Sequence, residues 1–206
     1  MVRVLFALVA CVLVVSGARA AGAENPAPSL LPQEECAPGQ EVPCPQGSGV
    51  PSQGGPLAPG ARAEPFALSG PGGEPVIFSP GEGGKPALVL FWSLFCPPCR
   101  EEMPYFAALA RRYSPRGLEV VSVNVDGPEL ARAVERYAAQ EELPFPVAMD
   151  EREGQDFVFA RAYGVTGTPA LFLVDPDGTI RWSHQGRVEP GALEAEIRAL
   201  LGTPGR

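Results

Sequence analysis

The sequence predicts an α/β fold, a mixed central sheet with helices on both faces, on three observations. From about Glu64 onward, apolar runs of strand length alternate with amphipathic helical periods. One run, Ala87 to Trp92, is apolar throughout, the pattern of a central strand buried on both faces. The alternation ends at Asp175-Pro176-Asp177-Gly178, a tight turn between two strands, so β-α crossovers are followed by an antiparallel hairpin.

Each element follows from a local pattern. Two short strands, Pro65 to Leu68 and Val76 to Phe78, flank Gly70-Pro71-Gly72-Gly73 and predict a hairpin over the edge of the domain. After the Ala87 to Trp92 strand, a helix runs from the Cys96-Cys99 region to Tyr113, because Met103, Phe106, Ala107, Ala110 and Tyr113 fall at helical spacing. Pro104 sits inside it and predicts a kink. Leu118 to Val125 is the next strand, and Pro128 to Gln140 the next helix, with proline tolerated in its first turn and Leu130, Val134 and Tyr137 facing inward. Phe145 to Met149 reads as a strand, Asp156 to Tyr163 as a short helix and Ala170 to Val174 as a strand. The hairpin leads into Ile180 to His184, and a last helix, Pro190 to Leu201, sets Leu193, Ile197 and Leu200 on one face.

Composition divides the chain. The 206 residues include 24 Gly and 25 Pro, a large share for one compact domain. Nine Pro and six Gly fall between Glu24 and Ala63, where no periodic apolar face occurs, so residues 24–63 read as an irregular linker carrying Cys36 and Cys44. Ahead of it, Arg3, an apolar stretch from Val4 to Val15 and small residues make residues 1–20 an export signal. Both Ala18-Arg19-Ala20 and Ala21-Gly22-Ala23 fit its cleavage site, so cleavage falls after residue 20 or 23; an uncleaved membrane anchor is the alternative. Leu8-Val9-Ala10-Cys11 has the form of a lipoprotein box, but the apolar run continues past Cys11, which leaves too little apolar stretch before it. Residues 64–203 remain, enough for one domain with a substantial core.

Charge and cysteines bound the function. Removing residues 1–20 takes away Arg3 and Arg19 and no acid, leaving 14 basic against 24 acidic residues, a balance of −10. That argues against a nucleic-acid partner, and no basic patch points to an anionic membrane surface. The same cleavage removes Cys11 and leaves an even set, Cys36, Cys44, Cys96 and Cys99. In an exported protein, cysteine pairs persist as disulfides or work as redox couples.

Cys96-Pro97-Pro98-Cys99 lies where a buried strand hands over to a helix. There the first sulfur meets unpaired backbone N–H groups at the positive end of the helix dipole, which favours thiolate over thiol. Cys96 is therefore the better nucleophile, and Cys99, one turn along, is in reach to resolve a mixed disulfide formed at Cys96. The other readings of the pair are half of a zinc site and a purely structural disulfide. Zinc needs further ligands, and the domain offers no third cysteine and one histidine, His184, far along the chain and read as an ordinary strand residue. No metal and no cofactor is expected.

Phe91-Trp92-x-x-Phe95-Cys96-Pro97-Pro98-Cys99-Arg100-x-Glu102-Met103-Pro104, then Val121-x-Val123-Asn124-Val125-Asp126 and Tyr163-Gly164-Val165-Thr166-Gly167-Thr168-Pro169, resemble the thioredoxin superfamily. The resemblance is to its TlpA/ResA-like exported thiol-disulfide oxidoreductases and covers about Glu64 to Leu201. It implies a thioredoxin fold with an added N-terminal β-hairpin and a central β-α insertion. It also implies a cis Thr168-Pro169 peptide beside the disulfide, with the Thr168 backbone free to pair with a substrate strand; an ordinary loop proline at a strand start is the other reading. Glu102 matches the family's active-site acid. It also stands three residues after Cys99 on the same helix face, where a carboxylate can take the Cys99 proton; a solvated acid beside Glu101 is the plain alternative.

Two positions depart from the pattern of relatives. Thioredoxins proper carry a buried Asp six residues before the first cysteine, where this chain has Leu90. Phe95 replaces the usual Trp before that cysteine, which keeps an aromatic platform but loses its indole N–H. Peroxiredoxins share the overall fold but place a Thr three residues before the reactive cysteine and a Pro four before that; Ser93 and Val89 stand there, so peroxidase activity is not expected.

Cys36 and Cys44 enclose seven residues outside the resemblance, and read as a local disulfide, a second redox pair exchanging with Cys96/Cys99, or a metal-binding or unpaired set. The reading reached is a periplasmic or extracytoplasmic reductase of protein disulfides. Cys96, Cys99 and Glu102 carry the chemistry, while Phe95, Pro97, Pro98, Thr168 and Pro169 contact the substrate. A membrane-embedded thiol reductant supplies electrons, and the resemblance suggests cytochrome c maturation or copper-site assembly as client pathways. The alternatives are a disulfide-forming oxidase and a copper metallochaperone binding through Cys36/Cys44 or through Cys96/Cys99 with His184.

Overall fold

A computed structural model of the protein describes residues 55–202. The export signal, the Cys11 box, Cys36 and Cys44 lie outside the described residues.

Five strands form the central sheet: β3 (Ala87–Trp92), β4 (Glu119–Asn124), β5 (Val147–Met149), β8 (Ala170–Val174) and β9 (Ile180–Gln185), in the order β5-β4-β3-β8-β9. β3 pairs parallel with β4 and β4 with β5, whereas β8 runs antiparallel to both β3 and β9. The sheet is mixed, and β3 is its middle strand with all six residues buried, as its uninterrupted apolar run requires.

Alternation of side chains along the strands makes two cores. Leu88, Leu90 and Trp92 of β3, with Val120, Val147, Leu171 and Leu173, face α1 (Pro97–Tyr113), α2 (Ala131–Gln140) and α4 (Pro190–Gly202). Met103, Phe106, Ala110 and Tyr113 of α1, Val134 of α2, and Leu193, Ile197 and Leu200 of α4 are buried there, and each Val, Leu, Ile, Met or Phe among them stabilises the fold by roughly 1.5–3 kcal/mol over exposure. Val89, Phe91, Val121, Val123 and Phe172 point the other way, against Ala160 of α3 (Val158–Ala162), Tyr163 and the hairpin β1 (Phe66–Ser69) to β2 (Pro75–Phe78). Tyr163 closes this layer by ring contacts with Phe91 and Phe172 and donates its hydroxyl to the Glu64 carbonyl at 2.7 Å.

Three details differ from the sequence expectation. The β1–β2 hairpin covers a face of the sheet instead of an edge, because Phe66, Leu68, Val76 and Phe78 all point into the second core. The folded part also begins before Glu64: Leu57, Gly60 and Ala63 donate backbone hydrogen bonds to Tyr163, Ile180 and Gly178, and Ala63 is buried. Third, Asp156 and Phe157 do not start a helix. They form β7 (Asp156–Phe157), paired with β6 (Arg152–Glu153) across a turn with Gly154 at φ 63°, and α3 begins at Val158. Pro104 lies inside α1, as its position in the sequence requires, on the exposed side of the helix.

Smaller shifts have local causes. β5 starts at Val147, not Phe145, and Pro146 accepts from Ser122 N–H at 3.0 Å but has no amide to give back. Pro128–Leu130 forms a 3-10 turn ahead of α2. Placed between β4 and α3, α2 and β5 extend the sheet by one parallel strand, as a central β-α insertion does. At the late turn, Gly178 at φ 87° donates to Asp175, and a Cβ on it would meet the Pro80 carbonyl at 3.0 Å.

Candidate active site

The C-terminal ends of the neighbouring parallel strands β3 and β4 meet at the pair Trp92 and Asn124, and the residues that follow each must share space. Val125 N–H donates to the Trp92 carbonyl at 2.9 Å, which brings Asp126 under the segment from Ser93 to Phe95. Asp126 is 7% exposed and is fully engaged: it accepts from Ser93 Oγ, from Leu94 N–H at 2.7 Å and from Asn124 Nδ2 at 2.8 Å. Ser93 Oγ in turn accepts from Phe95 N–H at 3.0 Å. A buried carboxylate thus fixes the three residues that lead into Cys96. Phe95 projects outward, 75% exposed, one of two large exposed hydrophobic residues among those described.

Cys96 is the N-cap of α1 and is joined to Cys99 by a disulfide with Cα atoms 5.3 Å apart. Pro97 and Pro98 take the first helical positions, where a missing N–H costs nothing. Cys99 therefore supplies the first amide donor of the helix, and its N–H points at Cys96 Sγ at 3.2 Å. The sulfur that a thiolate would occupy sits on the helix axis terminus with one donor already aimed at it. Cys96 is 8% exposed and Cys99 is 0% exposed, so a partner reaches the first sulfur and not the second.

On the other side lies the loop before β8. The Thr168–Pro169 peptide is cis, Pro169 is buried, and the Thr168 carbonyl oxygen is 3.3 Å from Cys96 Sγ. Gln185 holds this loop: its carboxamide accepts from Thr166 N–H at 3.0 Å and donates to Thr166 Oγ1 at 3.0 Å.

Glu102 occupies the second turn of α1, partly buried. Its Oε1 accepts from Val188 N–H at 3.2 Å, while its Oε2 is buried without a hydrogen-bond partner. Burial pushes this carboxyl above the ordinary carboxylate value, opposed by the Val188 amide and by the positive field of Arg187 and His184, and reinforced by Glu101. His184 does not approach the disulfide as a ligand. Its Nε2 donates to the Arg187 carbonyl at 2.7 Å and its ring stacks on Trp182. Among the described residues no group of three or more His, Cys, Asp or Glu is placed to hold a metal.

The sequence reading anticipated Cys96, Cys99, Phe95, Pro97, Pro98, Glu102, Thr168 and Pro169, and the structure gathers them around the start of α1. In that reading Asp126 stood only as the end of a motif, with no role, and Gln185 and Val188 were not named. Adjacency of β3 and β4, implied by the β-α-β pattern, was the available signal for Asp126; no local pattern marks the other two.

Residues 59–183 match the AhpC/TSA family. The thiol-disulfide oxidoreductase ResA of Halalkalibacterium halodurans is 34% identical over 135 residues, 66% of this chain and 73% of that protein. ResA of Bacillus thuringiensis subsp. konkukian is 32% identical over 117 residues, and the chain spans 64% of its length. A crystal structure of a putative thiol:disulfide interchange protein DsbE from Chlorobium tepidum superposes with a TM-score of 0.62 at 35% identity, covering 71% of this chain and 99% of that one. The chain belongs to the AhpC/TSA family and, within the thioredoxin superfamily, to its TlpA/ResA-like branch.

Proposed function

We propose that this protein is an exported thiol-disulfide oxidoreductase that reduces disulfides of other exported proteins. The observation that carries the reading is the Cys96–Cys99 disulfide at the N-terminus of α1, one sulfur reachable and the other enclosed. The names of the ResA and DsbE relatives support the same chemistry.

In the reduced protein, Cys96 thiolate, favoured by the helix dipole and the Cys99 N–H, attacks a client disulfide. A mixed disulfide forms and one client sulfur leaves as thiolate. Cys99 then yields its proton to the Glu102 carboxylate and attacks Cys96 Sγ. The second client sulfur leaves with the bonding pair, and the Cys96–Cys99 disulfide is restored with two electrons delivered. Thr168 offers backbone for strand pairing with the client, and Phe95, Pro97, Pro98 and Pro169 form the apolar surround. A membrane-embedded thiol reductant regenerates the pair, and cytochrome c maturation or copper-site assembly supplies the clients.

Cys96→Ser abolishes reduction of a disulfide-linked protein in a turbidity assay; a variant that keeps wild-type activity overturns the reading. Direction is tested by the reduction potential of the Cys96/Cys99 pair. A value at the strongly oxidising end makes the protein a disulfide-forming oxidase, with the same residues running in reverse.

A further inference from the structure

We propose that Arg187 is a positioning residue for Glu102: latched to α1 through Glu101, it holds the β9–α4 connection over that carboxyl and favours its ionised, proton-accepting form. The inference rests on the oxidoreductase reading for its consequence in turnover, but not for its direct test.

From Gln185 to Val188 the connection touches the site at every residue. His184 Nε2 donates to the Arg187 carbonyl at 2.7 Å and closes the turn. Gln185 grips Thr166, and Gly186 N–H donates to the Pro169 carbonyl at 2.8 Å. Arg187 pairs with the Glu101 carboxylate at 2.5 Å, and Val188, itself buried, donates its amide to Glu102 Oε1. Four consecutive residues, Gln185 to Val188, therefore tie the cis-proline loop to the acidic turn of α1. Buried Oε2 of Glu102 has no donor, so the carboxylate depends on one amide and on the surrounding field.

That field has few sources. From α1 comes Glu101, and from β9 and the connection come His184 and Arg187; the neutral Tyr105 phenol also faces this carboxyl from α1 but adds no charge. Glu101 opposes a charge on Glu102, and Arg187 offsets it while also lowering the cost directly. Removing the guanidinium thus acts twice in one direction: it deletes an attractive charge and leaves Glu101 uncompensated. In turnover, Glu102 accepts the proton as the Cys99 S–H bond breaks, so a Glu102 held protonated cannot start resolution of the mixed disulfide.

The direct test is titration of the Glu102 side-chain carboxyl by carbon NMR in the full oxidised chain, assigned with Glu102→Gln. Arg187→Ala moves its midpoint upward, and Arg187→Lys, which keeps the charge, stays near wild type. An unmoved midpoint in Arg187→Ala, or an equal shift in Arg187→Lys, overturns the proposal. In the turbidity assay at neutral pH, Arg187→Ala slows reduction roughly two- to fivefold, as loss of an exposed pair does. The same substitution in a Glu102→Gln background changes nothing further, and an equal loss there overturns the proposal. If instead Cys96→Ser proves fully active, the oxidoreductase reading falls while the carboxyl titration still decides the role of Arg187.

Discussion

The carbonyl oxygen of Thr168 stands 3.3 Å from Cys96 Sγ, across 72 positions of sequence. The contact joins the two halves of the site, the start of α1 and the cis-proline loop before β8, and it exists because β8 pairs antiparallel with β3. Phe91 lies opposite Ala170, so the residue pairs just beyond the strand ends face each other over the sheet edge.

Cys99→Ser separates the two chemical steps. With Cys99 fully buried and Cys96 reachable, the variant attacks clients through Cys96 but cannot release them. Covalent adducts accumulate in cells expressing the variant and dissolve on adding dithiothreitol. Mass spectrometry of the adducts identifies the clients, and recovery of no Cys96-linked adduct contradicts the order of attack.

Asp126→Ala removes the acceptor of three donors, among them the Leu94 amide. Leaving such groups unpaired costs about 1–3 kcal/mol, read as a lower urea midpoint with an unchanged slope. Because the lost contacts hold Ser93 to Phe95, reductase activity falls as well, at a denaturant-free temperature where the variant is still folded. Asp126→Asn, which keeps one carbonyl acceptor, falls between the two.

Glu102→Gln tests proton acceptance through pH. Burial raises the carboxyl above its ordinary value, so the accepting form appears only as pH climbs through that raised value. Wild-type turnover rises across this window, whereas the Gln variant is slow on both sides of it and lacks the inflection. Stability runs the opposite way. The folded protein binds this proton more tightly than the unfolded chain, so the contribution is full below the ordinary carboxylate value and is lost as pH rises through the raised one. Glu102→Gln flattens that part of the stability profile, read by thermal unfolding at a series of pH values.

Most of the architecture is legible in the residues alone, because apolar periodicity is a local property. β3 reads as a buried central strand from six consecutive apolar residues, and the inward positions of α1 and α4 follow from their spacing. The Cys96-Pro97-Pro98-Cys99 segment was equally legible, since a helix start and its dipole are set by neighbours in the chain. The β6–β7 turn escaped because Arg152, Glu153 and Asp156 carry no strand preference, and Gly154 alone makes the reversal. Likewise the second core needed the hairpin, Tyr163 and residues 57–63 brought together, which no periodicity within any one of them announces.

The environment of the acids, by contrast, comes from packing between distant segments. Asp126 and Glu102 look alike in sequence, two acids near apolar residues, yet one ends up held by three donors and the other with one amide and a bare buried oxygen. The Val188 amide and the Arg187 guanidinium reach the acidic turn of α1 from 86 positions away, and the Thr168 carbonyl reaches Cys96 from 72. The state of a carboxyl depends on the desolvation and charge around it, and those are sums over neighbours in space, fixed by strand pairing and helix packing and not by adjacency in the chain.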